Sequence, residues 1–248
     1  MNLTHDNTKA SVNQERENFE RLYVDVRTKE ERLYSLQQVA DLPEVSADHV
    51  HYHEWKMRKT SCHQLINYLK KKNKRLKILE VGCGNGWLSN KIAFHLDAEV
   101  VGLDINKIEL EQAKATWRQT TDLSFVHGDI RDNIFPSQYF DVILFAASIQ
   151  YFSSLKEILL AALSLLNTSG EIHIMDSNFY SSKQVSAASE RTNTYYAELG
   201  FPEMSAHYFH HSWNDLKQFN YKLLDQPRSI VNLLKGRQNI FSWIKITK

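Results

Sequence analysis

A chain of 248 residues, 42% hydrophobic and 24% charged, carries enough apolar side chain for a sizeable core and cannot be disordered throughout. Its 30 basic and 29 acidic residues leave a formal net charge of +1, which excludes a protein whose main work is coating nucleic acid. Two cysteines, Cys62 and Cys83, cannot build a disulfide framework or a cysteine zinc site, and no metal is expected.

The first residues, Met1 to Lys9, are polar and lack the apolar stretch of a signal peptide. No run approaches the length of a membrane span, so a cytoplasmic location is expected. Residues 1–12 are expected to fray. From Asn13 the pattern is amphipathic, with Phe19, Leu22 and Tyr23 on one face. Thr28 followed by Glu31 has the form of a capping box, opening a helix through Leu33, Leu36 and Val39 that Leu42-Pro43 ends. A third helix is expected from about Ala47 to Leu69, with Trp55, Met57, Leu65, Ile66 and Leu69 as its apolar positions. Residues 1–75 therefore read as a helical extension or cover on a main domain spanning 76–248.

His49 and His53 lie four apart and would share a helix face. The second histidine of an H-E-x-x-H zinc pattern is missing, so they read as surface or cap histidines. The run Lys70, Lys71, Lys72, Lys74, Arg75 and Lys77 reads as solvated charge at a helix C-terminus, with a local RNA-binding patch as the rival reading.

Next comes Ile78-Leu79-Glu80-Val81-Gly82-Cys83-Gly84-Asn85-Gly86, followed by a helical pattern through Trp87, Ile92 and Leu96. Strand, glycine turn and helix form the first unit of a nucleotide-binding α/β domain. The spacing is G-x-G-x-G, not the G-x-G-x-x-G of a dinucleotide-binding turn. Cys83 inside the turn also reads as a small filler. Strand and helix patterns then alternate: strand 98–103, helix 105–117, strands 123–126 and 140–145, helix 155–166 and strand 171–175. Residues 177–211 break the pattern and read as a lid or substrate pocket after the fifth strand. A helix from Ser212 to Phe219, capped by Ser212 or Asp215, precedes two strands at 221–224 and 240–246. The connection between those strands shows no obvious long helix, so they are expected to form an antiparallel end to the sheet.

Acids fall at successive strand ends. Asp104 closes the second strand about twenty residues past the glycine turn, where a carboxylate can accept from both ribose hydroxyls of a nucleoside. Its other reading is a helix cap before Asn106. Asp129 closes the third strand, where it can meet an adenine amino group with Ile130 against the ring. Glu80 closes the first.

Together, Leu79–Gly86, Gly102-Leu103-Asp104, His127-Gly128-Asp129-Ile130 and Phe140–Leu144 resemble the successive motifs of class I S-adenosylmethionine-dependent methyltransferases, over roughly residues 76–176. The resemblance implies a Rossmann-like, doubly wound α/β fold. Its seven-stranded sheet would be mostly parallel with an antiparallel C-terminal strand. S-adenosyl-L-methionine would be the methyl donor and S-adenosyl-L-homocysteine the product. The resemblance also sets Glu80, Gly82, Cys83, Gly84 and Gly86 around the donor's methionine part. Asp104 would bind the ribose and Ile105 would lie against the adenine. Asp129 and Ile130 would hold the adenine from its other side, and Ala146 would offer backbone to the amino group. Family members often carry histidine just beyond the fourth strand; this chain has Gln150-Tyr151 there.

An oxygen or nitrogen acceptor can require a general base. His207, His210, His211 and Tyr151 are the candidates, with a pair flanking a helix start as the rival reading of His210-His211. Arg58 could reach the donor's carboxylate or remain a solvated helix arginine. The leading expectation is methylation of a small-molecule acceptor by a monomer or homodimer. Other readings are a protein or RNA methyltransferase, a noncatalytic donor-binding subunit and, least of all, a nicotinamide-dependent oxidoreductase. No N/D-P-P-Y motif follows the fourth strand, where the chain reads Ala146-Ala147-Ser148-Ile149.

Overall fold

The computed structural model describes residues 3–226 and 241–248, with side chains from Gln14 onward. Three helices, α1 (Leu3–Lys29), α2 (Leu36–Asp41) and α3 (Tyr52–Lys70), precede the first strand. An alternating stretch follows: β1 (Leu76–Val81), α4 (Trp87–His95), β2 (Ala98–Asp104), α5 (Lys107–Thr116), β3 (Leu123–His127), β4 (Phe140–Ala146), α6 (Leu155–Leu165) and β5 (Leu166–Met175). The chain then forms α7 (Val185–Leu199), α8 (Trp213–Leu216), β6 (Asn220–Asp225) and β7 (Trp243–Thr247). The seven strands form one sheet in the order β3-β2-β1-β4-β5-β7-β6, and β7 alone runs against its neighbours.

Strand order reverses between β1 and β4. From β1 the chain steps outward to β2 and β3, then returns to lay β4 on the other side of β1. The loops leaving β1 and β4 diverge there, which opens a crevice at the C-terminal strand ends.

Strand alternation divides the core between the two sheet faces. Leu79, Val81, Val101, Leu103, Ile143 and Phe145 face one side, where Ile158, Leu159 and Ala162 of α6 cover them. Leu76, Ile78, Val100, Val142 and Leu144 face the other, under Leu65 and Leu69 of α3 and Leu88 and Ile92 of α4. Among the described residues, no helix is long and apolar enough to cross a membrane.

The N-terminal helices differ from the sequence expectation. Helix α1 begins at Leu3, in place of frayed residues, and runs through Thr28, whose hydroxyl donates to the Val24 carbonyl. Propagating an existing helix costs less than nucleating a new one, so Thr28 continues α1 and caps nothing. The box that opens α2 is Ser35 with Gln38. Helix α3 starts at Tyr52, which leaves His49 outside it, so His49 and His53 share no helix face. The 177–211 insertion holds a 15-residue helix, α7, that its polar composition concealed. The expected 212–219 helix is the single turn α8, capped by Ser212 and Asp215 as read from the sequence. Ile240 and the connection before it lie outside the described residues.

The basic run is tied into the sheet. Lys72 pairs with Glu171, Lys74 with Asp141, and Arg75 with both Asp97 and Asp122. Asp141 also accepts from the Lys77 backbone N–H at 2.9 Å and from Asn167 Nδ2 at 2.6 Å, which joins the starts of β1, β4 and β5. Asp141→Ala leaves those donors without their acceptor and is expected to cost about 2–3 kcal/mol, read from the midpoint of urea unfolding.

Candidate active site

The turn after β1 holds itself against β2. The N–H groups of Gly82 and Cys83 both donate to the Leu103 carbonyl, at 2.8 and 3.2 Å. Gly82 has φ +74°, and a Cβ there would lie 2.5 Å from the Ser148 Cβ. Gly86, at φ +72°, opens α4, and a Cβ would meet the Phe125 ring at 2.4 Å. Both positions need glycine for backbone angle and for space. Ser148 closes the turn from the β4 side by donating to the Val81 carbonyl at 2.6 Å. Cys83 is buried, its Sγ lies beside Gly102, and the residue borders the crevice.

Asp104 joins this turn to α5. One carboxylate oxygen accepts from Gly84 N–H at 2.7 Å, the other from Asn106 N–H at 2.8 Å. The helix cap is Asn106, whose side chain accepts from Glu109 N–H at 3.1 Å, which removes the rival reading of Asp104. Three acids converge around the turn: Glu80, Asp104 and Glu109. Burial pushes Glu80 up to about 8, helped by the Asp104 charge and opposed by the Ser89 hydroxyl. Burial, again with Asp104, pushes Glu109 up to about 7. Asp104 rises for the same first reason, offset in part by the backbone N–H groups it accepts from. Such a cluster is costly with nothing positive inside it.

Asp129 carries a bidentate partner that sequence reading did not anticipate: Arg131 donates through Nε at 2.8 Å and Nη2 at 2.6 Å. Ile130 is buried, while Ile105 and Ala146 border the crevice. Ala147 and Asp176, just past β4 and β5, hold left-handed backbone (φ +55° and +53°) that non-glycine residues rarely adopt.

Helices α1 and α3 line the crevice as well. Arg16 forms a bidentate pair with Asp132 at 2.7–2.8 Å, and Glu20 accepts from the Lys107 backbone N–H. Phe19, Tyr23 and Arg27 then border a cavity of about 540 Å³ that contains the glycine turn. Arg58 is held by Glu54 at 2.9 Å, and Glu54 also accepts from Arg32 at 2.6 Å. Burial raises the Glu54 carboxyl, but Arg58 and Arg32 more than offset it and hold it at about 2. A second cavity, about 490 Å³, lies on the α7 side. Arg27, Arg32, Glu54, Arg58, Ala147, Tyr151 and Asp176 border both. The α1 residues were missed because Phe19, Leu22 and Tyr23 read only as a packing stripe. Their periodicity shows an apolar face but not what it covers.

The candidate bases separate. Tyr151 stands at the common wall, packed edge-on to Tyr23 and Tyr208, and burial raises its phenol so that it stays protonated near neutral pH. His207 borders the first cavity, 5.0 Å from the Phe19 ring centre. His210 borders the second, 2.9 Å from the Thr192 hydroxyl, and burial lowers its pKa, so its ring is neutral near physiological pH. His211 borders neither cavity. It is 6% exposed, and its Nε2 bonds the Ile149 carbonyl at 3.1 Å. That carbonyl and the surrounding core take up the Nε2 edge of the ring.

The raised acids make stability depend on pH. Folding favours the neutral form of Glu80, so its contribution is complete below the ordinary carboxylate value of 4.5 and is lost as pH rises through about 8. Glu109 adds a loss of the same sign through about 7. Thermal melts from about pH 5 to 9 should show wild type falling with pH and Glu80→Gln falling less.

A methyltransferase-domain family profile matches residues 72–223. Malonyl-[acyl-carrier protein] O-methyltransferase of Priestia megaterium is 35% identical over 103 residues, 40% of this chain and 36% of that protein. Sterol 24-C-methyltransferase of Debaryomyces hansenii is 34% identical over 74 residues, 29% of this chain and 20% of that protein. The chain thus spans about a third or less of the curated relatives it matches. The fold is shared with magnesium protoporphyrin IX methyltransferase from Synechocystis PCC 6803, solved with bound SAH. That similarity has a TM-score of 0.57 at 12% identity and covers 86% of this chain and 93% of that one. It is shared too with the YcgJ protein of Bacillus subtilis, at TM-score 0.53 and 15% identity over 74% of this chain and 96% of that one. The profile covers more than half of the chain, its strand order and glycine turn agree with the motifs, and the chain belongs to the class I S-adenosylmethionine-dependent methyltransferase family.

Proposed function

We propose that this protein transfers a methyl group from S-adenosylmethionine to a small-molecule acceptor, with the donor in the glycine-turn cavity and the acceptor in the cavity beside it. The observation that carries this reading is the meeting of two cavities, about 540 and 490 Å³, at one wall formed by Arg27, Tyr151 and Ala147. The residues of the first cavity fit the donor. A Cβ at Gly82 or Gly86 would collide with Ser148 or Phe125, so the turn keeps bare backbone at the cavity wall. Buried acids kept partly neutral wait for a cation. When bound, the donor supplies a methyl on a positively charged sulfur, already activated for displacement.

In this reading Gly82, Cys83, Gly84 and Gly86 present backbone to the methionine part, and Glu80 supplies negative charge near it. Asp104 accepts from the ribose hydroxyls with lone pairs that Gly84 and Asn106 leave unused. Ile105 and Ile130 sandwich the adenine, and Asp129, steadied by Arg131, accepts from its amino group. Ala146 offers backbone to the donor's amino group, and Arg58, steadied by Glu54, meets its carboxylate. The chain's main contribution is alignment of the two reactants and exclusion of water by α1 and the 177–211 segment.

A small acceptor is favoured over RNA because three of the six bases in the 70–77 run, Lys72, Lys74 and Arg75, are held in ion pairs with acids in and around the sheet. The relatives named for malonyl-[acyl-carrier protein] and for sterols methylate oxygen and carbon respectively, so they favour neither acceptor atom.

S-adenosylhomocysteine should raise the melting temperature and NAD should not; equal melting temperatures with and without saturating S-adenosylhomocysteine would sink the donor assignment. Asp104→Ala should weaken S-adenosylhomocysteine binding by at least about tenfold in calorimetry, since the ribose loses a charged acceptor. Unchanged affinity would confine Asp104 to holding the turn.

A further inference from the structure

The two cavities differ in their balance of charged side chains. Eight carboxyl and five guanidinium side chains border the first, but three carboxyl and four guanidinium side chains border the second. The three carboxyls of the second are committed. Glu30 accepts from Tyr195 at 2.6 Å and pairs with Arg27 and Arg32 at 3.2 and 3.3 Å. Glu54 joins Arg32 to Arg58, and Asp176 accepts from Ser61 at 2.6 Å while burial favours its neutral form.

Arg27 stands at the common wall. Among the described residues it donates only to Glu30, and its guanidinium lies 4.9 Å from the centre of the Tyr23 ring. A guanidinium carries five N–H donors. Most of those on Arg27 therefore lack a protein partner in a side chain that is 20% exposed. Four tyrosines, Tyr180, Tyr195, Tyr196 and Tyr208, also border the second cavity, among polar side chains such as Gln150 and Thr192. A positive junction disfavours a cationic or neutral polar acceptor and suits a planar anion, which a guanidinium can hold through two parallel hydrogen bonds.

We propose that the second cavity takes an aromatic carboxylic acid as its anion, and that Arg27 holds the carboxylate at the junction for O-methylation to a methyl ester. The inference rests on the donor reading above. One carboxylate oxygen forms a bond to the methyl carbon as the methyl–sulfur bond breaks, and that electron pair stays on sulfur. The negative charge of the acceptor and the positive charge of the donor cancel, giving an ester and a neutral thioether. No proton moves, so the reaction needs no base at the junction. This agrees with a protonated Tyr151 there and with His211 turned into the fold.

The test uses the full-length protein saturated with S-adenosylhomocysteine, and benzoate, cinnamate and 2-naphthoate beside their amides. The acids should raise the melting temperature and bind in calorimetry, and the amides should not. Arg27→Gln should weaken acid binding by about tenfold or more while changing S-adenosylhomocysteine affinity by less than about twofold, and Arg27→Lys should recover part of the loss. With methyl-labelled donor, an accepted acid should yield label released as volatile methanol by mild alkali. Equal binding of acids and amides, no binding of any acid, or undiminished acid binding in Arg27→Gln would overturn the proposal. Loss of S-adenosylhomocysteine affinity in Arg27→Gln would overturn it too, by making Arg27 a donor ligand. Failure of S-adenosylhomocysteine itself to bind wild type would instead bring down the donor reading, and this proposal with it. If Arg27→Gln does not fold, the acid–amide comparison on wild type decides alone.

Discussion

The carboxylate of Asp104 ties the centre of this molecule together. It accepts from Gly84 in the turn after β1 and from Asn106 at the head of α5. The loops leaving two neighbouring strands are thus held by one buried charge. Gly82 and Ser148 bring the β4 loop against the same turn. The crevice at the reversal of strand order is therefore bounded by loops whose positions depend on one another. Its acids are held close together at the cost of easy ionisation.

A cover built from the N-terminal helices and the segment after β5 borders this crevice and a second cavity beside it. Helix α1 reaches it through Arg16 and Glu20, and the segment holding α7 reaches α1 through Tyr195 and Glu30. The cover is polar at its edges and aromatic within, where Phe19, Tyr23, Tyr151 and Tyr208 pack together. Guanidiniums outnumber carboxyls around the cavity on the α7 side, whereas carboxyls outnumber guanidiniums around the glycine turn. The wall that separates the cavities is where two reactants of opposite charge would meet, and Arg27 occupies it.

Much of this site was legible along the chain. Glycines at alternate positions, acids at strand ends and apolar runs of strand length are demands that a segment meets through its own neighbours. Asp104 and Gly84 are twenty residues apart and were read as parts of one site; the strand–turn–helix unit does bring them into contact. The second helix was misread because Thr28 and Glu31 satisfy a local pattern, yet Thr28 lies inside α1, which ends at Lys29, and Glu31 lies in the turn after it. Helix α7 was missed because its exposed, polar residues show little periodicity. His211 read as a candidate base because the sequence shows a titratable ring but not the Ile149 carbonyl that its Nε2 meets.

By itself the sequence determined the sheet, the glycine turn and the family, since backbone angle, strand alternation and turn chemistry act over a few residues. Only the tertiary structure decided what covers the turn and which charges face each cavity. Arg16 and Asp132 are 116 positions apart, and Tyr195 and Glu30 are 165 apart. Such pairs form only once helices have crossed the finished sheet, and no spacing along the chain encodes that crossing.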